Sequence, residues 1–546
     1  MNPIELVSQA FTAHVVAQYS LTPEQSAGII VTLNTDESKK DFGDLSSQVA
    51  LALAKVLGKA PRAIAQELAA FKHELVERIE IAGPGFLNFF LTRHALGQLA
   101  GQLLTQKEKF FKPEQLKTEK INIEFVSANP TGPLHLGHGR GGIIGDVLGN
   151  VLRFLGHQVT KEYYINDAGS QLQKLGHSLK VRCQQLVGHE ATLAEDGYQG
   201  EYLIELAKEC VKTFGTEVVS KPEEFFSEYG KEQLLAQIKT TLSHYGIHFD
   251  VWFSERSLHT DGSVEKELTK LMEAGHLYEK EGALWFKSTE FGDDKDRVLR
   301  KANGELTYVA SDIGYLENKM ERGFDQLIMI LGQDHHSYVV RLKGLAQAMG
   351  YNPDRLTIIL YQLVTLKASG AVLRMSKRTG TMVTLQDILD TVGTDVARFF
   401  YLNRKADAHL DFDVDLALKK TEENPVYYLQ YAYVRTRSIM AKAQEAGLSY
   451  SPEDCANITT EEAIILKKIA ALKDLLFNIS KNHQTHLLTY YLLELAHTYH
   501  AYYSAHRIID MENVPQSRAR LLVTSLVQDT VGMVLELLGV SRPEKM

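Results

Sequence analysis

The chain is poor in several things at once. It has three cysteines, Cys183, Cys210 and Cys455. An odd number at wide spacing supports neither a disulfide framework nor a zinc ligand set, so ordinary thiols in a reducing compartment are expected. No uninterrupted apolar run approaches the roughly 18 residues of a bilayer span. The opening Met1-Asn-Pro-Ile-Glu-Leu-Val-Ser-Gln has no basic segment leading into an apolar stretch, so a cytoplasmic protein without membrane contact is expected. There is no excess of positive charge either. With 59 Lys and Arg against 68 Asp and Glu, the net charge is -9, which argues against a protein that coats nucleic acid indiscriminately but leaves room for a local basic surface. What remains, 44% apolar and 23% charged over 546 residues, is the composition of a soluble globular chain with three or four domains.

What is present is concentrated in two short segments. The first is Ser127-Ala-Asn-Pro-Thr-Gly-Pro-Leu-His135-Leu-Gly-His138. Before it, Ile121, Ile123 and Phe125 alternate with Asn122 and Glu124, the period of a strand with one buried face. After it, Ile143, Ile144, Val147, Leu148, Val151, Leu152 and Leu155 recur at helical spacing. His135 and His138 thus fall at a helix N-terminus, where unpaired N–H groups and the helix dipole favour phosphate. Gly137 lets a ligand approach the backbone closely. Two imidazoles there can donate to phosphate oxygens as charge grows in a transition state.

The second segment is Arg374-Met375-Ser376-Lys377-Arg378, a basic loop able to follow a leaving pyrophosphate. Taken singly, each segment has a plain alternative, a Pro/Gly turn capped by satisfied histidines and a solvated basic turn. Together and in this order they read as one nucleotide site closed by two loops.

Residues 1–113 alternate helical and strand patterns and end in Phe86-Leu-Asn-Phe-Phe-Leu91; Asn88 and its aromatic neighbours read as core. From 116 to about 180 runs the first half of a nucleotide-binding sheet. Residues 181–290 are mostly helical and charged, with Trp252 and Trp285 in a strand-rich portion. Leu327–Leu331 and Leu356–Leu360 are apolar runs suited to buried parallel strands. Beyond Thr384 the pattern is helical, with segments from Asn424, Thr460, Thr485 and Ser517 suggesting a bundle.

The two segments resemble the paired signatures of class I aminoacyl-tRNA synthetases. Around them, Gly83-Pro-Gly-Phe-Leu-Asn-Phe-Phe, Tyr163-Tyr-Ile-Asn-Asp-Ala-Gly, Asn424-Pro-Val-Tyr-Tyr-Leu-Gln-Tyr-Ala and Leu538-Gly-Val-Ser-Arg-Pro-Glu-Lys-Met546 resemble the arginyl-tRNA synthetases over nearly the whole chain. The resemblance implies an α/β fold: a class I Rossmann-type catalytic domain (116–420, with a connective insertion at 181–290 and the second signature loop at 374–378), an N-terminal mixed α/β domain contacting tRNA (1–113) and a C-terminal helical anticodon-binding domain (421–546). It implies arginine activation by ATP with Mg2+, then transfer to the terminal 2′-hydroxyl of tRNA(Arg). His135, His138 and Lys377 would be catalytic, joined at ATP by Gly137, Asp334, Met375 and Ser376.

For arginine itself, a guanidinium with five donors and a permanent charge needs fixed acceptors. The resemblance implies Tyr308, Asp312 and Glu124 at that group, with Ser127, Asn129 and Gln333 at the amino-acid end. Asp334 can accept from the ribose or cap the following helix, and both remain open. In the bundle, Tyr431, Tyr499 and Tyr503 can stack on unpaired bases beside Arg435 and Arg507, or serve as core. Some relatives carry a lysine three residues before the first signature histidine. Here that residue is Gly132, so Lys377 is expected to be the main cation at the phosphates. A monomer is expected. A cysteinyl enzyme would want zinc ligands, a small nucleotidyltransferase would not need this length, and a non-catalytic relative would be expected to have lost the signatures.

Overall fold

The computed structural model describes residues 1–114, 116–372 and 383–546. Met375, Ser376 and Lys377 therefore lie outside the described residues. The N-terminal unit is a four-stranded antiparallel sheet, in the order Val31–Leu33, Leu45–Ser47, Phe86–Leu91, Val76–Ala82. Helix Pro3–Tyr19 packs on it through Val7, Phe11 and Val15, with Phe11 edge-on to Phe89 at 4.8 Å. Asn88 is buried in this sheet.

The catalytic unit is built on five parallel strands: β1 (Lys120–Phe125), β2 (Gln158–Ile165), β3 (Val251–Ser254), β4 (Gln326–Gly332) and β5 (Leu356–Tyr361). Their spatial order is β5-β4-β1-β2-β3. The chain runs outward in one direction from β1 to β3, then returns to lay β4 and β5 on the other side. The strand order thus reverses between β1 and β4, and in open α/β sheets ligands sit beyond the strand C-termini at such a point.

One expectation is overturned here. β1 does not have a single buried face: Asn122 and Glu124 are buried along with Ile121, Ile123 and Phe125. A central strand of a parallel sheet is covered on both sides, and polar residues survive there only if paired. Asn122 accordingly donates to Glu162 at 3.0 Å, and Glu162 also accepts from Tyr315 and Arg322. Between β2 and β3 stand helices Ser170–Leu186, Glu201–Phe214 and Glu223–His244, with their own small core. The 181–290 stretch is therefore interrupted: the chain rejoins the sheet at β3, then leaves again for an antiparallel three-stranded piece, Leu277–Lys280, Ala283–Phe286 and Arg297–Arg300.

The signature helix, Leu136–Leu155, lies against β1 and β2 with glycines on its contact face. Gly145 rests on the Phe125 ring and Gly149 on the Lys161 stem, each too close to admit a Cβ. Four long helices, Pro425–Glu445, Thr460–Asn482, Leu487–Ala505 and Val514–Leu538, form the C-terminal bundle. Val514–Leu538 is long and apolar enough in composition to cross a membrane, but 83% of its apolar window is buried in the bundle, as a core helix would be. This bundle is fastened to the catalytic unit by buried charge. Arg398 donates to Asp146 of the signature helix (2.5 Å) and to the carbonyls of Leu538 (2.8 Å) and Tyr245 (2.7 Å). Lys161 joins Asp146 at 2.6 Å, and Asn150 donates to the Leu537 carbonyl at 3.0 Å. Side chains of one domain thereby cap the C-terminal carbonyls of a helix in the other.

Candidate active site

A cleft of about 540 Å³ opens where the strand order reverses. It is lined from β1 and its loop by Glu124, Ser127 and Asn129, from the signature helix by His135 and His138, and from the β4 loop by Gly332 and Asp334. Tyr308 and Asp312, on helix Tyr308–Glu321, complete one wall. A slightly larger hollow on the bundle, about 610 Å³ around Arg437 and Tyr450, has no such convergence of ionisable groups.

The signature histidines do cap their helix, and that positions them. His135 is the N-cap: its Nδ1 accepts from the Gly137 N–H (3.1 Å), while the Nδ1 of His138 accepts from the His135 N–H (3.1 Å). This is a reciprocal capping box made of imidazoles. The rings stack at 3.7 Å. With each Nδ1 used as an acceptor, the neutral tautomer carries its proton on Nε2, which makes Nε2 a donor. Capping and phosphate binding are thus compatible uses of the same side chains.

The loop after β1 is strained. Val126 (φ 68) and Ser127 (φ 39) are both left-handed, a conformation that costs a β-branched residue on the order of 1–3 kcal/mol and persists only when its surroundings enforce it. Here they do: the Ser127 hydroxyl donates to Glu124 (3.1 Å) and accepts from the Tyr164 N–H (3.1 Å), and its carbonyl accepts from Asn166. Asn129 donates to Gln171 at 2.8 Å.

Of the carboxylates in the cleft, Glu124 is already neutralised by buried Lys319 at 2.6 Å. Asp312 accepts from the Tyr338 hydroxyl, yet burial, reinforced by the Glu255 and Glu124 carboxylates, pushes it up to about 7. Glu255, the first residue after β3, was not anticipated from sequence. It is 3% exposed, lines the cleft, has an Oε2 without a hydrogen-bond partner, and is raised by burial. Its one sequence signal is its place at a strand C-terminus, and that required β3 to be recognised as a sheet strand. A half-buried and a buried carboxylate, both raised by desolvation, make a receptor for a cation.

One expected site residue lies elsewhere. Gln333 lines a separate cavity with Thr357, Arg404 and His486. Its neighbours Gly332 and Asp334 line the cleft, while Gln333 opens the helical turn Gln333–His335 and its side chain leaves on the other side. Asp334 makes no cap: helix His336–Ala348 has no side-chain cap bond, which removes that alternative and leaves Asp334 at the cleft mouth.

On the bundle, the Arg435 guanidinium sits over the rings of Tyr431 (4.5 Å) and Tyr503 (4.7 Å) and donates to His500 Nδ1 at 2.6 Å. His500, lowered to about 4 by burial and by Arg435, is neutral and accepts. Tyr499 is fully buried and bonds Thr524, because it faces the helix contact side, so it is core and not a stacking platform. Arg507 is exposed on the turn after Leu487–Ala505 and donates to the Ile509 carbonyl. Among the described residues no group of three or more His, Cys, Asp or Glu could hold a metal ion.

Residues 100–408 match the model for the catalytic domain of class I (R) tRNA synthetases, which gives the class. Residues 6–91 match the arginyl tRNA synthetase N-terminal domain and residues 429–546 the DALR anticodon-binding domain. The arginine–tRNA ligase 1 of Halalkalibacterium halodurans is 44% identical, with 100% of each chain covered. The arginine–tRNA ligase of Bacillus subtilis is 43% identical over 94% of each. The solved arginyl-tRNA synthetase of Thermus thermophilus, 21% identical, has the same fold over 100% of both chains with a TM-score of 0.76. The chain belongs to the arginyl-tRNA synthetase family.

Proposed function

We propose that the chain is an arginine–tRNA ligase: it activates L-arginine with ATP to arginyl-adenylate and diphosphate, then transfers arginine to the 2′-hydroxyl at the 3′ end of tRNA(Arg). The observation that carries this is the joining, in one switch-point cleft, of a capped histidine pair suited to phosphate with two desolvated carboxylates, Asp312 and Glu255, suited to a guanidinium. His135 and His138 donate to the ATP phosphates beside Gly137, Asp334 faces the ribose, and Lys377, with Met375 and Ser376, brings the cation that follows diphosphate. Asp312, Glu255 and Tyr308 take the guanidinium. Ser127 and Asn129 take the α-amino and carboxylate end, and Glu124, itself fixed by Lys319, accepts from the Ser127 hydroxyl and holds it in place. Mg2+ arrives with ATP as part of the substrate. No covalent enzyme intermediate is needed, since positioning and charge stabilisation supply the rate.

Residues 1–113 and 421–546 serve as tRNA-contacting domains around a catalytic domain at 116–420. Tyr431, Arg435 and Tyr503 offer the stacking surface. The enzyme works as a cytoplasmic monomer, and its first step requires bound tRNA. Charging of total tRNA with each of several amino acids tests the reading, which fails if arginine is not preferred. Normal ATP–diphosphate exchange without tRNA would refute the tRNA requirement. Lys377→Ala should be the most damaging change in its loop; an exchange rate within about threefold of the parent would remove Lys377 from this role.

A further inference from the structure

Arg140, two residues beyond His138, has no exposed surface. It donates to the backbone carbonyls of Gln362 (2.8 Å) and Lys405 (2.9 Å), and its Nε is buried without a hydrogen-bond partner. Among the described residues no carboxylate lies within ion-pairing distance of it, and residues 115 and 373–382 contain no Asp or Glu. Every other fully buried arginine or lysine in the core is compensated: Arg398 by Asp146, and Lys319 by Glu124. Burial lowers Arg140 to about 10, so it remains a cation at neutral pH. A fully buried charge bonded only to neutral dipoles, with Asp407 acting on it from beyond contact, costs free energy that Met or Gln in its place would avoid. The charge has no protein anion in contact with it.

Along the helix axis the Arg140 backbone stands roughly 3 Å from His138 and roughly 8 Å from the N-cap His135, and its side chain leaves on another side of the helix, toward Gln362 and Lys405. Its field adds to the dipole at the end where the two imidazoles donate, and the interior between them screens it less than water would. We propose that Arg140 is an internal counter-charge for the nucleotide's phosphates: it touches no substrate atom, and acts by raising the potential at the signature histidines as negative charge builds on the departing diphosphate. This rests on the reading that ATP occupies the cleft beside His135 and His138. The two carbonyls it binds hold the guanidinium in place, and Gln362 leads directly into Val364–Ala368, the strand that precedes the second signature.

The test compares Arg140→Lys with Arg140→Gln by tRNA-dependent ATP–diphosphate exchange, alongside thermal melting. Lysine keeps the charge but cannot span both carbonyls; glutamine is comparable in size and neutral. Both variants should melt below the parent. Arg140→Lys should keep kcat within about threefold, whereas Arg140→Gln should lose about tenfold or more in kcat with the KM for arginine unchanged. Equal losses in the two variants would make the role structural and overturn the proposal, as would an Arg140→Gln enzyme within twofold of the parent. If Arg140→Gln does not fold, Arg140→Lys decides alone: a folded lysine enzyme with kcat down tenfold refutes the charge role, and near-parental kcat despite a lowered melting point supports it. A parent chain inactive with ATP and arginine would instead sink the underlying reading.

Discussion

Asp312 and Glu255 share a buried wall with too little positive charge to satisfy both, and this has a direct pH consequence. Asp312, raised to about 7, keeps its proton in the empty cleft below neutrality. A guanidinium needs the ionised form, so the KM for arginine should rise about tenfold from pH 8 to pH 6, read from initial rates at saturating ATP and tRNA. The stability sign runs the other way. A carboxyl whose folded pKa exceeds its unfolded one binds more protons when folded, so its contribution is lost as pH climbs from about 4 through 7. Arginine should therefore raise the melting temperature more at pH 8 than at pH 6, and an equal shift would contradict the assignment. Glu255→Gln should raise the KM for arginine by about tenfold or more with a smaller change in kcat; an unchanged KM would remove Glu255 from the pocket's chemistry. At this scale the sequence was partly legible. His135 and His138 carried their place at a helix N-terminus in local spacing, whereas Asp312 came only with the family resemblance. Glu255 carried no such signal, because its importance comes from what lies across the cleft, and Gln333 lines another cavity because the chain turns helical at that residue, which the loop sequence does not reveal.

Among the elements, the signature helix is the most constrained. Gly145→Ala would drive a methyl into the Phe125 ring, and overpacking of this kind costs about 1–3 kcal/mol. Denaturant titration should show that loss, and a variant as stable as the parent would mean the helix can shift outward. In the bundle, two residues separate function from packing. Tyr499→Phe should leave the KM for tRNA unchanged, since the ring is core, whereas Arg435→Ala should raise it severalfold by dismantling the stack with Tyr431 and Tyr503. Bundle helices were legible because helical periodicity survives burial on one side. β1 was misread as having one covered face because Asn122 and Glu124 are polar, and only their partners, Glu162 and Lys319, explain polar residues in a doubly covered strand. β3 escaped notice for a related reason: it is short, sits at the sheet edge, and follows three helices with a core of their own.

At the level of the whole molecule, Arg398, held by Asp146, and Asn150 reach from the catalytic unit to the last carbonyls of the bundle and make the two interdependent. Separating them would leave the ion pairs in place but would strip Arg398 and Asn150 of these acceptors and the Leu538 and Leu537 carbonyls of their donors, each such loss being worth on the order of 1 kcal/mol. The two units should unfold together in calorimetry, and a variant such as Arg398→Met should split or lower that transition more than a surface arginine change would. None of this was legible in the sequence, since nothing in the pattern links Asn150 to a carbonyl 387 residues away. That separation also sets a schedule for biosynthesis. At typical elongation rates of about 5–20 residues per second, the signature helix waits roughly 20–80 s after its own synthesis before Leu537 exists to receive Asn150. Until then its polar anchors have no permanent partners, and the nascent catalytic unit is a client for whatever shields unfinished chains from one another.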